Sequence, residues 1–177
     1  LYRDITIEKK ATEDLQNSEK RFRRMFEDSP VALRLEDCSK LKKWTSKIQA
    51  HSKSGLHAYL KEYPDQFSTL CKSRNIISVN LAALSFFKAT SKKSLQDNLC
   101  TVLSEGPRAS HIDIVQAFMD GETSLEKELI YKSLDGVIKY AITKITILPG
   151  YEDTWSRVLF SSMDITERKL SEERLSY

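Results

Sequence analysis

The chain has 177 residues, with 28 Lys and Arg against 25 Asp and Glu, a net charge of +3 and 40% hydrophobic residues. That length suits one domain with flanking helices, and the apolar content is enough for one core and too high for a disordered chain. The near-balanced charge demands neither nucleic acid nor an anionic membrane as partner, no apolar run approaches the roughly 18 residues of a membrane span, and five Gly and four Pro exclude collagen-like and low-complexity classes.

Residues 1–28 read as a linker helix. Ile7, Ala11, Leu15, Phe22 and Phe26 recur at steps of four and seven on a narrow apolar stripe amid Lys, Arg and Glu. Such a stripe suits pairing with a copy of itself, while Phe22, Met25 and Phe26 suit packing on the chain's own domain. After Ser29-Pro30 the period becomes two. Val31, Leu33 and Leu35 alternate with Ala32, Arg34 and Glu36, which predicts a strand. Residues 39–73 are polar and helical in character. Leu41, Trp44, Ile48 and His51 keep helical steps, Gly55 breaks the run, and Pro64 fits the first turn of another short helix with Phe67, Leu70 and Cys71 on its apolar side.

Residues 75–79, NIISV, read as a short strand, and Asn80 is a good cap for the helix LAALSFFKA. Ser91 opens another short helix, SKKSLQDNL, and 110–120 form a longer one ended at Gly121. The last third is a β-meander. Leu125, Leu129 and Tyr131 sit among alternating charges, Asp135-Gly136 makes a hairpin turn, VIKYAITKITIL is the partner strand, and Arg157 to Met163 returns as a third. Strands and helices are segregated, which implies an α+β domain with one mixed or antiparallel sheet.

The two ends repeat each other. DITIEKKATEDL (4–15) and DITERKLSEERL (164–175) agree at Asp4/Asp164, Ile5/Ile165, Thr6/Thr166, Lys9/Lys169, Glu13/Glu173 and Leu15/Leu175. Self-similarity at a fixed interval marks a modular array, each copy being the end of one module and the start of a connecting helix. Asp164 or Thr166 is placed to cap that helix, with Glu167 three residues after Asp164. The chain begins at Leu1 with no Met and no signal pattern, so a piece of a longer protein is expected. Cys38, Cys71 and Cys100 are scattered and odd in number, and His51, His57 and His111 show no metal-ligand spacing. Reduced thiols of a cytoplasmic domain, without a metal, are the expectation.

Three phrases resemble the PAS family of sensory domains: FRRMFEDSPVAL (22–33), IISVNLAALSFF (76–87) and LFSSMDITERKL (159–170). The resemblance implies a five-stranded antiparallel sheet, with strands at 31–36, 75–79, 124–133, 137–148 and 156–163 and short helices on one face. It also implies a domain over 29–163 and a signalling helix from 164 to 177. A minimal PAS domain joins its first two strands by a tight turn. Here a helical insert, about 37–73, separates them, and it either covers one end of the sheet or lies on a partner. The family's cavity lies between helices and sheet, and its candidate lining is Leu33, Phe86, Phe87, Ile114, Phe118, Leu129, Tyr131, Tyr140, Ile142 and Phe160. The same residues suit a fully packed core.

His111 lies at the long helix, the element that supplies the iron-binding His in haem-binding relatives, but no second feature supports haem, and a surface or capping His is expected. DNLCTVL around Cys100 lacks the Arg and Gln of the flavin-binding LOV phrase, so a buried Cys is expected. Neither haem nor flavin is therefore expected, and a small-molecule ligand is left open. KRFRR (20–24) and KLKK (40–43) lie near acidic residues and read as solvated helix faces, so no nucleic acid is expected. The resemblance implies a module of a bacterial or archaeal signalling protein that passes a signal through Asp164, Ile165 and Thr166 to a downstream effector, a histidine kinase or a diguanylate cyclase. Neither effector's signature is present, so this fragment is expected to be non-enzymatic. The expected partners are a second copy, through the N-terminal helix, and adjacent domains of the same chain. A ligand-free dimerising spacer is the alternative.

Overall fold

A computed structural model describes residues 2–103 and 108–175. Helix α1 (Tyr2–Glu27) leads into strand β1 (Ala32–Asp37). The insert follows as α2 (Ser39–His51), α3 (Gly55–Glu62), a 3-10 turn (Pro64–Gln66) and α4 (Phe67–Lys72). Strand β2 (Asn75–Val79) precedes α5 (Leu81–Phe87), α6 (Lys92–Asp97), α7 (Leu99–Leu103) and α8 (Arg108–Met119). Strands β3 (Ser124–Lys132), β4 (Ile138–Ile147) and β5 (Val158–Asp164) close the fold, and α9 (Thr166–Leu175) leaves it. The sheet order is β2-β1-β5-β4-β3, with every neighbouring pair antiparallel.

The hydrophobic core lies between the inner face of this sheet and the helices of the insert and of 81–119. Leu41, Ile48, Leu56, Leu70, Phe87, Leu95, Leu99, Val115 and Phe118 from the helices meet Ile76, Leu129, Tyr131, Ala141, Ile145, Val158 and Phe160 from the strands. Helix α1 is exposed along nearly its whole length, with Ile5, Ile7, Leu15, Phe22 and Met25 open to solvent. Among the described residues no helix is long and apolar enough to cross a membrane.

Two helical readings change. Gly55 does interrupt the first run, but it also starts α3, because its backbone takes φ +78°, which glycine adopts without a Cβ clash. Leu56 and Leu60 then form an i,i+4 pair buried within the core. The side-chain Oε1 of Gln116 accepts the Leu56 N–H at 2.8 Å, and Asp113 on α8 holds His57 at 2.6 Å and Lys127 of β3 at 2.6 Å. The insert is thereby fastened to α8. The predicted helix SKKSLQDNL ends early at Asn98, and α7 starts afresh at Leu99.

Asn80 joins three elements. Its Oδ1 accepts the Ala83 N–H, capping α5, and also the Leu33 N–H, both at 2.9 Å. Its Nδ2 donates to the carbonyls of Val31 at 2.9 Å and Phe26 at 3.0 Å, so the end of α1, the start of β1 and the start of α5 share one buried side chain. Asn80→Ala removes a cap and orphans buried backbone groups, and is expected to lower unfolding stability by about 3 kcal/mol in urea titrations. A loss below about 1 kcal/mol would show that water replaces the amide.

Candidate functional site

Strand β1 presents the opposite side from the one its leucines suggest. Ala32, Arg34 and Glu36 face the core, whereas Leu33 and Leu35 are half-buried on the outer face. Register makes this plain: Arg34 pairs with Phe160 on β5, so both side chains lie on the inner face. A register shift between Leu35 and Glu36 lies in the pairing of β1 with β2, where Glu36 faces Ile76 and Asp37 faces Asn75. Arg74 immediately precedes β2 and so comes beside Glu36.

The result is a buried charge triad. Arg34 Nε donates to Glu36 Oε1 at 2.5 Å, and Arg74 Nε donates to Oε2 at 2.7 Å. The three side chains are 2%, 0% and 6% exposed in the order Arg34, Glu36, Arg74. Both guanidinium carbons lie 4.7 Å from the Phe160 ring centroid, and that of Arg34 is also 5.3 Å from Phe87. Burial pushes the Glu36 carboxyl up, and the charges of Arg74 and Arg34 with their hydrogen bonds outweigh it, so it titrates below the ordinary carboxylate range. Two cations against one anion leave one positive charge in excess. The Nη2 atoms of Arg34 and Arg74 are buried and have no hydrogen-bond partner among the described residues.

Those guanidiniums line a cavity together with Cys38, Leu41, Leu103, His111, Ile114, Val115, Phe118, Leu129, Tyr131 and Phe160. It offers about 20 Å³ to a water-sized sphere, slightly more than one water needs. His111, expected at the surface or in a cap, is instead 5% exposed on its wall. Burial, and then the Arg74 and Arg34 charges, hold its imidazole down at about 3, so it is neutral at pH 7. The Tyr131 hydroxyl bonds Thr143 Oγ1 at 3.2 Å, and Thr143 bonds Ser162 Oγ at 3.0 Å.

Of the candidate lining, Ile114, Phe118, Leu129, Tyr131 and Phe160 meet at this cavity. Phe86 and Phe87 are buried beside it, with ring centroids 5.9 and 5.3 Å from that of Tyr131. Leu33, Tyr140 and Ile142 lie on the outer face of the sheet, because Ala32 and Arg34, and Ala141 and Thr143, take the inward positions of the two pleats. Arg34, Glu36 and Arg74 were missed, since alternation counts a charged residue as outward. A buried Arg-x-Glu on a strand can be found only by noticing that Ala32 continues the charged side.

Two of the three cysteines are held as thiols. Burial, with Glu36 nearby, raises the Cys38 thiol, and Cys71 is pushed up to about 12 by burial and by Cys100, which sits against it. Cys100 itself is partly buried.

The second part of the site is the exit of β5. Phe160 and Ser162 face inward, and four residues beyond Phe160, roughly 13 Å along the strand, the chain reaches Asp164. Asp164 Oδ1 accepts the Thr166 N–H at 2.9 Å and the Thr166 hydroxyl at 2.5 Å. Thr166 Oγ1 in turn accepts the Tyr140 N–H at 3.0 Å, and the Ile165 N–H donates to the Tyr140 carbonyl at 2.8 Å. Asp164, Ile165 and Thr166 therefore seal the first turn of α9 onto β4. Lys169, which pairs with Glu128 of β3 at 2.5 Å, extends the contact by one turn.

No family model matches the chain, and no curated protein matches it. Among solved structures it is similar to the PAS domain of an HTR-like protein from Haloarcula marismortui, with TM-score 0.53, 16% identity, and 89% of this chain and 99% of that one covered. It is also similar to the Rhodobacter sphaeroides LOV protein, with TM-score 0.56, 18% identity and coverage of 90% and 73%. A third is a domain of the sensory box sensor histidine kinase/response regulator from Geobacter sulfurreducens, with TM-score 0.50, 15% identity and coverage of 86% and 99%. The fold of this chain is the PAS fold.

His111 makes stability depend on pH. Its pKa is lower folded than the ordinary 6.5, so between pH 6.5 and about 3 the unfolded chain binds the proton that the folded chain refuses, and stability falls as pH falls. From about pH 7 to 5.5 the expected loss in wild-type is about 1 kcal/mol by urea unfolding, and His111→Gln flattens it. An unchanged slope in the variant would show that His111 titrates alike in the folded and the unfolded chain.

Proposed function

We propose that this chain is a sensory PAS module whose interior state is passed through the Asp164–Thr166 joint to α9 and on to a downstream effector. The observation that carries the reading is one of connectivity. Strand β5 holds Phe160, stacked on both buried guanidiniums, and runs directly into the capped joint. A change in the packing of Phe160 is therefore felt by the segment that fixes where α9 leaves the sheet.

The mechanism is mechanical and has no chemical step. A ligand that binds one packing better than another shifts the population by its differential affinity alone. A swing from 1:99 to 99:1 requires about 5.5 kcal/mol of that difference. The effector in this reading is a histidine kinase within a two-component phosphorelay, with a diguanylate cyclase as the alternative. The Geobacter neighbour comes from a protein of the first kind. In this reading the module works in the cytoplasm, next to further modules of the same chain, without a catalytic role of its own and without haem, flavin or nucleic acid.

One observation favours a second reading, that of a dimerising spacer without a ligand. Ile7, Leu15, Phe22 and Met25 lie exposed on α1, which suits a second copy packed along the helix, and the cavity beneath is small. Native mass spectrometry separates the two readings. A sensor carries a small ligand of matching mass, and a spacer is a dimer carrying none.

In the sensory reading, hydrogen exchange over 166–175 differs between loaded and stripped protein. Asp164→Ala with Thr166→Ala removes that difference while unfolding stability falls by no more than about 1 to 2 kcal/mol, the range of a helix cap. Exchange over 166–175 that ignores occupancy in the wild-type sinks the reading.

A further inference from the structure

Among the described residues, the excess positive charge of the triad has no counterpart on the cavity wall. Arg34 and Arg74 carry two cations, Glu36 one anion, and the remaining wall is Cys38, Leu41, Leu103, Ile114, Val115, Phe118, Leu129, aromatic rings and the neutral His111. An uncompensated buried cation is costly, and each buried donor without an acceptor adds to that cost. Here the two coincide, since the unpartnered Nη2 atoms belong to the two arginines that border the cavity.

We propose that the cavity between Arg34 and Arg74 is a binding site for a compact monovalent anion, a formate-sized carboxylate or a halide, held by one Nη2–H from each guanidinium. Size sets the upper limit. About 20 Å³ of free space, slightly more than one water needs, suits a halide or at its limit a formate carboxylate and leaves no room for a longer acid. Charge sets the species. A water would accept both N–H groups but leave the extra charge, whereas a monoanion satisfies the donors and brings the cluster of Arg34, Glu36, Arg74 and ligand to neutrality. The signalling role of this anion rests on the sensory reading above, but its binding does not.

The test is thermal unfolding of the whole chain in halide-free HEPES, titrated with sodium formate, chloride or bromide against sodium sulfate at equal ionic strength. A saturable rise of several degrees with the monoanions, beyond the sulfate control, is expected, and Arg74→Met abolishes it. Because that variant also strips a partner from Glu36 and can fail to fold, wild-type crystals grown in bromide give the second measurement. Anomalous density within hydrogen-bonding distance of both Nη2 atoms is expected.

A rise that matches sulfate, bromide that binds only as an adventitious ion elsewhere, or a water at the site in bromide crystals overturns the inference. A neutral molecule retained in the cavity, with no response to anions, overturns the anion site and leaves the sensory reading standing. Anion binding that leaves exchange over 166–175 unchanged has the reverse effect, keeping the site and removing its signalling role.

Discussion

The Glu36 carboxylate, held between Arg34 and Arg74 at the back of the sheet, is the constraint on which the interior depends. Once it is buried, both guanidiniums must be buried with it, and Phe160 must lie where both can stack. A triad of this kind is weak evidence for stability. Apolar residues of similar volume in place of buried ion pairs are often neutral or stabilising, whereas removing one partner alone commonly costs about 3–5 kcal/mol. A core that needed only stability had a simpler option in leucine and phenylalanine, which fill the rest of it.

The outline of the fold was legible in the sequence because most of it follows local rules. Asn80 before LAALSFF is a cap by side-chain chemistry, Gly121 and Gly136 take φ +98° and +86° where a helix or hairpin ends, and the D-I-T phrase marks the exit of the sheet. The insert was legible in extent but not in role, because α3 is short and its buried pair, Leu56 and Leu60, gains its meaning only against α8.

The site was half legible, and the physical reason lies in one strand. Alternation tells which residues share a face but not which face is inward, and for β1 the guess that apolar means inward is reversed. On β4 the inward set is Ala141, Thr143, Ile145 and Ile147, and the outward set begins with Tyr140 and Ile142, so both sets look plausible to an apolar count. Leu33, Tyr140 and Ile142 share this one cause of misplacement.

The start of β1 and the end of β5 are also neighbours. Ala32 at the start of β1 pairs with Ser162 near the end of β5, so the Asn80 clamp on α1 and the Asp164–Thr166 clamp on α9 bracket the same edge of the same two strands. Between them lies an open groove of about 440 Å³, bordered by Pro30, Val31, Met163 and Asp164. Both clamps are polar side chains bonded to backbone, and such bonds are directional, so a shift of β1 strains the Asn80 bonds and a shift of β4 strains the Thr166 bond. Arg34 and Glu36 of the interior triad lie on β1, Arg74 immediately precedes β2, and Phe160, on which both guanidiniums stack, lies on β5, so the buried charges and the exit joint share the β1–β5 pair.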